Sequence, residues 1–177
     1  LRLQYNADKI KASNPKKAAV LALFFPDDNN QTSFLLTQRA SYKGTHSAQI
    51  SFPGGKTEKS DKNLKETALR ETFEEVGIQS SSIKIIREIT DVYIPQSNFL
   101  ATPFVGYLNV KPNFTPNHEV VQVIEVLLND LLNASNITTV NMNTSHMQNI
   151  PLDFAYISSN PDFLKSAEDM HNFLKTV

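Results

Sequence analysis

Residues Phe52 to Ile78 read Phe-Pro-Gly-Gly-Lys-Thr-Glu-Lys-Ser-Asp-Lys-Asn-Leu-Lys-Glu-Thr-Ala-Leu-Arg-Glu-Thr-Phe-Glu-Glu-Val-Gly-Ile. They form one unit, a glycine turn feeding a helix whose last turns carry Glu71, Glu74 and Glu75. Gly77 stands where a glycine past the helix end stops such an element. The helix macrodipole is negative at that end, so acids there face the unfavourable pole and imply a positive partner absent from the sequence. At about 100° per residue, positions i, i+3 and i+4 are neighbours, which sets the three glutamates on one arc. Leu64, Ala68, Leu69, Thr72, Phe73 and Val76 take most of the other side, so a packing face and a separate acid face are expected. Clustered carboxylates at this spacing suit a hard cation such as Mg2+, which takes oxygen ligands and leaves positions for water and substrate phosphates. The competing reading is a solvated acidic face on a surface helix.

The order of parts narrows the choice. Gly54-Gly55, Asp61, Arg70-Glu71, Glu74-Glu75 and Gly77-Ile78 together resemble the Nudix box, here residues 54–78. Asp61 stands where the common form has Glu, and eight residues separate it from Arg70, one more than usual. Thr72 replaces an aliphatic residue of the spacer pair. The wording Phe-Pro-Gly-Gly-Lys, an Asp, then Thr-Ala-Leu-Arg-Glu is similar to the coenzyme A pyrophosphatase branch of that family. Leu35-Leu36-Thr37-Gln38-Arg39, running through His46 to Gly55, resembles the second signature of the same branch, with Ala48 where glycine is more usual. The resemblance covers about Ala18 to Val110.

That resemblance implies an α/β fold, a Nudix-type α/β/α sandwich around a mixed β-sheet. It also implies Mg2+ or Mn2+ held by Glu71, Glu74 and Glu75 with the backbone carbonyl at Gly55. Arg70 would orient the helix acids, and in the common form of the box it pairs with the acid at the position of Asp61. Serving as the helix N-cap is the competing role for Asp61, shared with Ser60 as a candidate.

Length and composition set bounds. At 177 residues the chain reads as a single domain over 1–177, large enough to bury a core without staples. Residues 1–15 read as a loosely ordered N-terminal extension, and the absence of an initial Met points to a trimmed or engineered start. With no cysteine there are no thiolate metal sites or disulfides, which accords with a cytoplasmic setting. A net charge of −1 gives no basic field to recruit nucleic acid or a membrane. Ala18 to Phe25 is far short of the roughly 20 apolar residues of a membrane span and reads as a buried strand. Five Asn-x-Ser/Thr triplets, at Asn30, Asn113, Asn133, Asn136 and Asn143, are read as composition.

Strands are expected at Ala18–Phe25 and Ser33–Arg39, forming a hairpin, then at Ile83–Tyr93, Ala101–Val110 and Glu119–Leu128. A helical turn is expected at Asp130–Leu132, short strands at Ile137–Met142 and Phe154–Ile157, and a last helix opening at Asn160-Pro161. Its stripe of Phe163, Ala167, Met170 and Leu174 reads as core or as the surface of a homodimer. Phe99, Phe104 and Tyr107 read as core or wall rather than a base-stacking platform.

Several residues near the box have two readings. Arg39 is either a bidentate phosphate contact or a surface ion pair. Lys43 and His46 lie in a polar loop at the expected mouth of the site, where Lys43, Lys56 and His46 would hold flanking phosphates or be merely solvated. Glu119 is either an acid that positions or deprotonates the attacking water or an ordinary strand-start acid.

The expected activity is cleavage of the diphosphate linkage of a small-molecule nucleotide. On the resemblance this is coenzyme A or its thioesters, giving 3′,5′-ADP and 4′-phosphopantetheine products. Glu74, Arg70 and Glu119 are the expected catalytic residues. The alternatives are a pyrophosphatase for ADP-ribose, dinucleotides or oxidised nucleotides, and a non-catalytic Nudix-like ligand sensor, against which the intact glutamates argue.

Overall fold

The computed structural model describes residues 7–40, 50–95 and 97–132. A short helix, α1 (Ala7–Ala12), leads into β1 (Lys16–Pro26), β2 (Thr32–Arg39), β3 (Ile50–Ser51) and β4 (Gly54–Lys56). Helix α2 (Leu64–Val76) and a 3-10 turn at Ser80–Ser82 follow. Strands β5 (Lys84–Glu88), β6 (Val92–Ile94), β7 (Phe99–Tyr107) and β8 (Val120–Leu127) then lead to α3 (Leu128–Leu132).

The apolar run of β1 becomes the centre of a mixed sheet because it is buried on both faces. It pairs antiparallel with β2 and β4 and parallel with β7, from Lys16↔Phe99 to Phe24↔Tyr107. β5 and β6 both pair with β7, while β3 and β8 pair with β2. Alternate residues of β1 feed two cores. Ala19, Leu21, Leu23 and Phe25 pack with Ala68 and Val76 of α2. Ala22 and Phe24 pack with Phe34, Phe52, Val105 and Leu128 of α3. Helices thus lie on both sides of the sheet, the layering expected.

The hairpin appears as expected, with Asn30 at its turn taking a positive φ of 58°. The strand expected over Ile83–Tyr93 is instead two. A register shift lies between Ile85 and Arg87, and Asp91 leaves the ladder to accept a hydrogen bond from the Thr102 hydroxyl at 2.6 Å. β7 begins two residues earlier than expected and ends at Tyr107. Of residues 1–15, expected as a loosely ordered extension, 1–6 lie outside the described residues and Ala7–Ala12 form α1. Ser13 on the C-terminal side of α1 donates to Asn98 Oδ1 at 3.0 Å, and Asn98 Nδ2 returns a bond to the Ser13 carbonyl at 2.9 Å. The strands expected at 137–142 and 154–157 and the helix from Asn160 lie outside the described residues. No helix among the described residues is long and apolar enough to cross a membrane.

Candidate active site

Asn63, rather than Asp61 or Ser60, caps α2, its side chain accepting from the Glu66 amide at 2.9 Å. Asp61 is committed elsewhere. It accepts from Arg70 Nε at 2.9 Å and Nη2 at 3.0 Å, from the Glu58 amide at 2.8 Å and from the Thr67 hydroxyl at 2.9 Å. This resolves the competition between capping and pairing in favour of the arginine, whose fork matches a carboxylate bidentately. The Arg70 hydrogen bonds hold the Asp61 carboxyl well below the usual carboxylate range.

At its other end α2 stops on Gly77, which takes the left-handed φ of 77° that glycine accommodates freely. The loop before β8 closes this end, with the Thr115 amide donating to Val76 O at 2.9 Å and the Asn117 amide to Glu75 O at 3.0 Å. These bonds satisfy last-turn carbonyls, a docking that no local sequence signal announced.

The expected acid arc is divided. Glu75 turns into the protein and is only 4% exposed, while Phe73, expected on the packing face, is 44% exposed. The helix is rotated so that Thr67, Ala68, Thr72, Glu75 and Val76 form its buried side. Glu75 Oε2 accepts from the Gly54 amide at 3.2 Å, and Arg39 Nη1 lies 3.9 Å from Oε1. Arg70 Nη1 bridges the other two acids, at 2.9 Å from Glu71 Oε1 and 3.0 Å from Glu74 Oε2. Among the described residues no group of three or more acidic or histidine side chains is gathered as a metal cluster.

A cleft of about 430 Å³ opens beside this helix. Its polar lining includes Arg39, Gly55, Lys56, Arg70, Glu71, Glu74 and Glu119. Arg39 Nη2 donates to Glu119 Oε2 at 2.7 Å, the ion pair that was the competing reading of Arg39, and both residues line the cleft. Lys43 and His46 lie outside the described residues. Its apolar lining includes Val92, Ile94, Phe99 and Ala101, strand partners on β6 and β7, with Ser97 between them in the chain. Of these, Phe99 was expected as core or wall rather than a base-stacking platform, while Val92, Ile94 and Ser97 were given no part in the site. Pro95, Ser97 and Asn98, turn formers between two expected strands, were the available signal.

The NUDIX domain family model matches residues 15–142. This chain belongs to the Nudix family. Nudix hydrolase 15, mitochondrial, of Arabidopsis thaliana is 35% identical over 114 residues, which is 64% of this chain and 39% of that protein. An uncharacterized Nudix hydrolase, NudL, of Pectobacterium atrosepticum is 35% identical over 99 residues, 55% of this chain and 51% of that one. The chain thus spans about two fifths to half the length of these curated relatives. The structure of a Caenorhabditis elegans Ap4A hydrolase binary complex superposes with a TM-score of 0.58 at 18% identity, covering 92% of this chain and 99% of that one, a likeness of fold.

Membership of the Nudix family implies a divalent cation, and the donor chemistry fits one. The oxygens at hand are carboxylates and a glycine carbonyl, the ligand type of hard cations. Burial raises the Glu71 carboxyl despite its Arg70 partner and pushes Glu75 up to about 7, a cost of ionisation that a bound cation would offset. Gly55 lies so close to Glu71 that a Cβ there would sit 2.5 Å from the carboxylate carbon and from Oε1. Gly55→Ala should therefore push Glu71 aside and weaken Mn2+ binding roughly tenfold or more, measured by calorimetric titration. Unchanged affinity would mean that Glu71 does not need this approach.

The raised Glu75 value makes a second prediction. A carboxyl that binds its proton more tightly when folded makes the folded state lose stability as pH rises from the ordinary 4.5 to about 7. Thermal melts of EDTA-treated protein, with Glu75→Gln subtracted as reference, should show that decline, and saturating Mg2+ should flatten it. A flat difference without metal would refute it.

Proposed function

We propose that this chain is a metal-dependent pyrophosphatase that cleaves the diphosphate linkage of nucleoside diphosphate derivatives. Coenzyme A and its thioesters are the preferred substrates, giving 3′,5′-ADP and 4′-phosphopantetheine products. The observation that carries the reading is one cleft lined by Glu71, Glu74, Arg39, Arg70 and Lys56 together, with Glu75 buried next to Glu74 in the chain. Acids to hold a cation and bases to hold phosphates are both needed for phosphoryl chemistry, where positioning and electrostatics do most of the work. The coenzyme A branch is supported by the wording of residues 35–39 and 52–71.

Glu71, Glu74, Glu75 and the Gly55 carbonyl would hold Mg2+ or Mn2+. When bound, such a cation supplies charge neutralisation at a diphosphate and makes water a better nucleophile. Arg70, fixed by Asp61 and by the Lys56 carbonyl at 3.1 Å, holds Glu71 and Glu74 at the cleft. Arg39 and Lys56 grip the phosphate oxygens flanking the scissile bond. Glu74 and Glu119, with side chains 50% and 48% exposed, are the carboxylates able to take a proton from the attacking water.

The test is a mass-spectrometric product screen over coenzyme A, acetyl-coenzyme A, ADP-ribose, NADH and diadenosine polyphosphates, each with Mg2+ and with Mn2+. Release of 3′,5′-ADP from the first two, ahead of any product from the others, is expected. Turnover of ADP-ribose or dinucleotides in preference would move the chain to another substrate class, and turnover of none would leave a ligand sensor.

A further inference from the structure

The apolar wall of the cleft carries a specificity that the box does not supply, and the inference rests on the diphosphate reading above. The wall consists of two rungs of paired strand residues. Ile94 lies beside Phe99 in the first, and Val92 beside Ala101 and Ala18 in the second. Opposed residues of paired strands point to the same face, and all five line the cleft. Phe99 differs in this from Phe104, which is 4% exposed in the core.

Two observations give the wall a ligand chemistry. Buried polar side-chain atoms without a hydrogen-bond partner among the described residues are Arg39 Nε, Thr57 Oγ1 and Ser97 Oγ, and two of these three residues line this cleft. A buried polar group left unpaired costs about 1–3 kcal/mol, so each needs a reason. Ser97 sits between Ile94 and Phe99 in sequence, a hydrogen-bonding group set into an otherwise apolar surface. The nearby cation, Lys16, is already placed over the Phe99 ring, its Nζ 5.5 Å from the centroid, and is not part of the lining. An additional phosphate has less to recognise here than a flat ring does.

Asn98, between Ser97 and Phe99, is tied to three other residues. Asn98 takes a positive φ of 53°, its Oδ1 accepts from the Tyr93 hydroxyl at 3.0 Å and from Ser13 Oγ at 3.0 Å, and its carbonyl accepts from the Lys16 amide at 2.9 Å. The segment leading into β1 therefore braces the wall.

We infer that Ile94, Ser97 and Phe99 form the subsite for the nucleobase of the substrate. Its heteroaromatic ring packs against Phe99 and Ile94, and an edge nitrogen or exocyclic group pairs with the Ser97 hydroxyl. The diphosphate then reaches the acidic lining of the cleft.

The experiment is calorimetric titration of the full chain, with Mg2+ present, using AMP, ribose 5-phosphate and 4′-phosphopantetheine against wild type, Phe99→Leu and Phe99→Ala. AMP should bind wild type at least tenfold more tightly than ribose 5-phosphate. Both variants should lose roughly tenfold in AMP affinity, the scale of one base–aromatic contact, with ribose 5-phosphate unaffected. Phe99→Leu keeps most of the buried volume, and its melting temperature guards against a folding artefact. Equal binding of AMP and ribose 5-phosphate, or AMP affinity indifferent to Phe99, would overturn the assignment. So would a Phe99-dependent preference for 4′-phosphopantetheine, which would give the wall to the other arm. Binding requires no turnover, so a Phe99-dependent AMP preference without hydrolysis of any diphosphate would keep the subsite and remove the catalytic reading. Hydrolysis without that preference would do the reverse.

Discussion

Glu75→Gln is expected to give a folded protein that gains no thermal stability from Mg2+ or Mn2+ and hydrolyses diphosphates at least about a hundredfold more slowly, the scale of one lost electrostatic contact to a transition state. Glutamine keeps the shape of the side chain and an oxygen to accept from the Gly54 amide, so the local packing survives. What it removes is a charge buried to 4% exposure, whose displacement to about 7 corresponds to roughly 3 kcal/mol of ionisation cost. Above neutral pH and without metal, the variant should therefore be more stable than wild type. Glu74→Gln should show the same loss of turnover with little change in stability, because its side chain is 50% exposed. Melting temperatures with and without metal, beside initial rates, decide the matter. Parallel losses of stability and turnover would argue for structural roles and against cation binding.

Arg70→Ala carries the largest expected effect on stability. The guanidinium makes two bonds to Asp61, one each to Glu71 and Glu74, and one to the Lys56 carbonyl. Asp61 has a side chain only 3% exposed, so truncating Arg70 leaves a secluded carboxylate without its cation, a loss of roughly 3 kcal/mol. The sign with pH follows from the lowered Asp61 carboxyl. Its contribution is complete above the ordinary value of 3.8 and disappears as pH falls through the lower folded value. Arg70→Ala should thus shift acid unfolding to higher pH and lower the urea midpoint, with turnover falling as Glu71 and Glu74 lose their tether. Arg70→Lys should recover only part of either, since an ammonium cannot reproduce the fork. Wild-type urea and acid midpoints in Arg70→Ala would show that the pair is incidental.

How far these features were legible in the sequence depends on the range of the forces that set them. Gly77, the buried run of β1 and the hairpin at Asn30 were readable because local backbone chemistry and burial period decide them. The cap was misplaced because Asp61, Ser60 and Asn63 are all competent caps, and a distant arginine claims the first. The facing of Phe73 and Glu75 was misread because a helix of thirteen residues with few large apolar side chains has a weak apolar stripe. Its rotation is set by what Gly54 and Arg39 offer to Glu75. The break between β5 and β6 depends on Asp91 meeting Thr102, a contact between strands that no window along the chain contains. Apart from Phe99, expected as core or wall, the apolar wall escaped for the same reason, since its rungs join residues from β1, β6 and β7.

The parallel pairing of β1 with β7 sets an order on assembly. Lys16 to Phe24 cannot find Phe99 to Tyr107 until the whole glycine turn and helix between them have been synthesised and looped back. Such distant pairing is slow, typically milliseconds to seconds, because chain entropy is lost before the contact repays it. The box and its hairpin can nucleate from nearer neighbours. The cleft, whose apolar lining comes mainly from β6 and β7, is complete only once β7 has docked on β1.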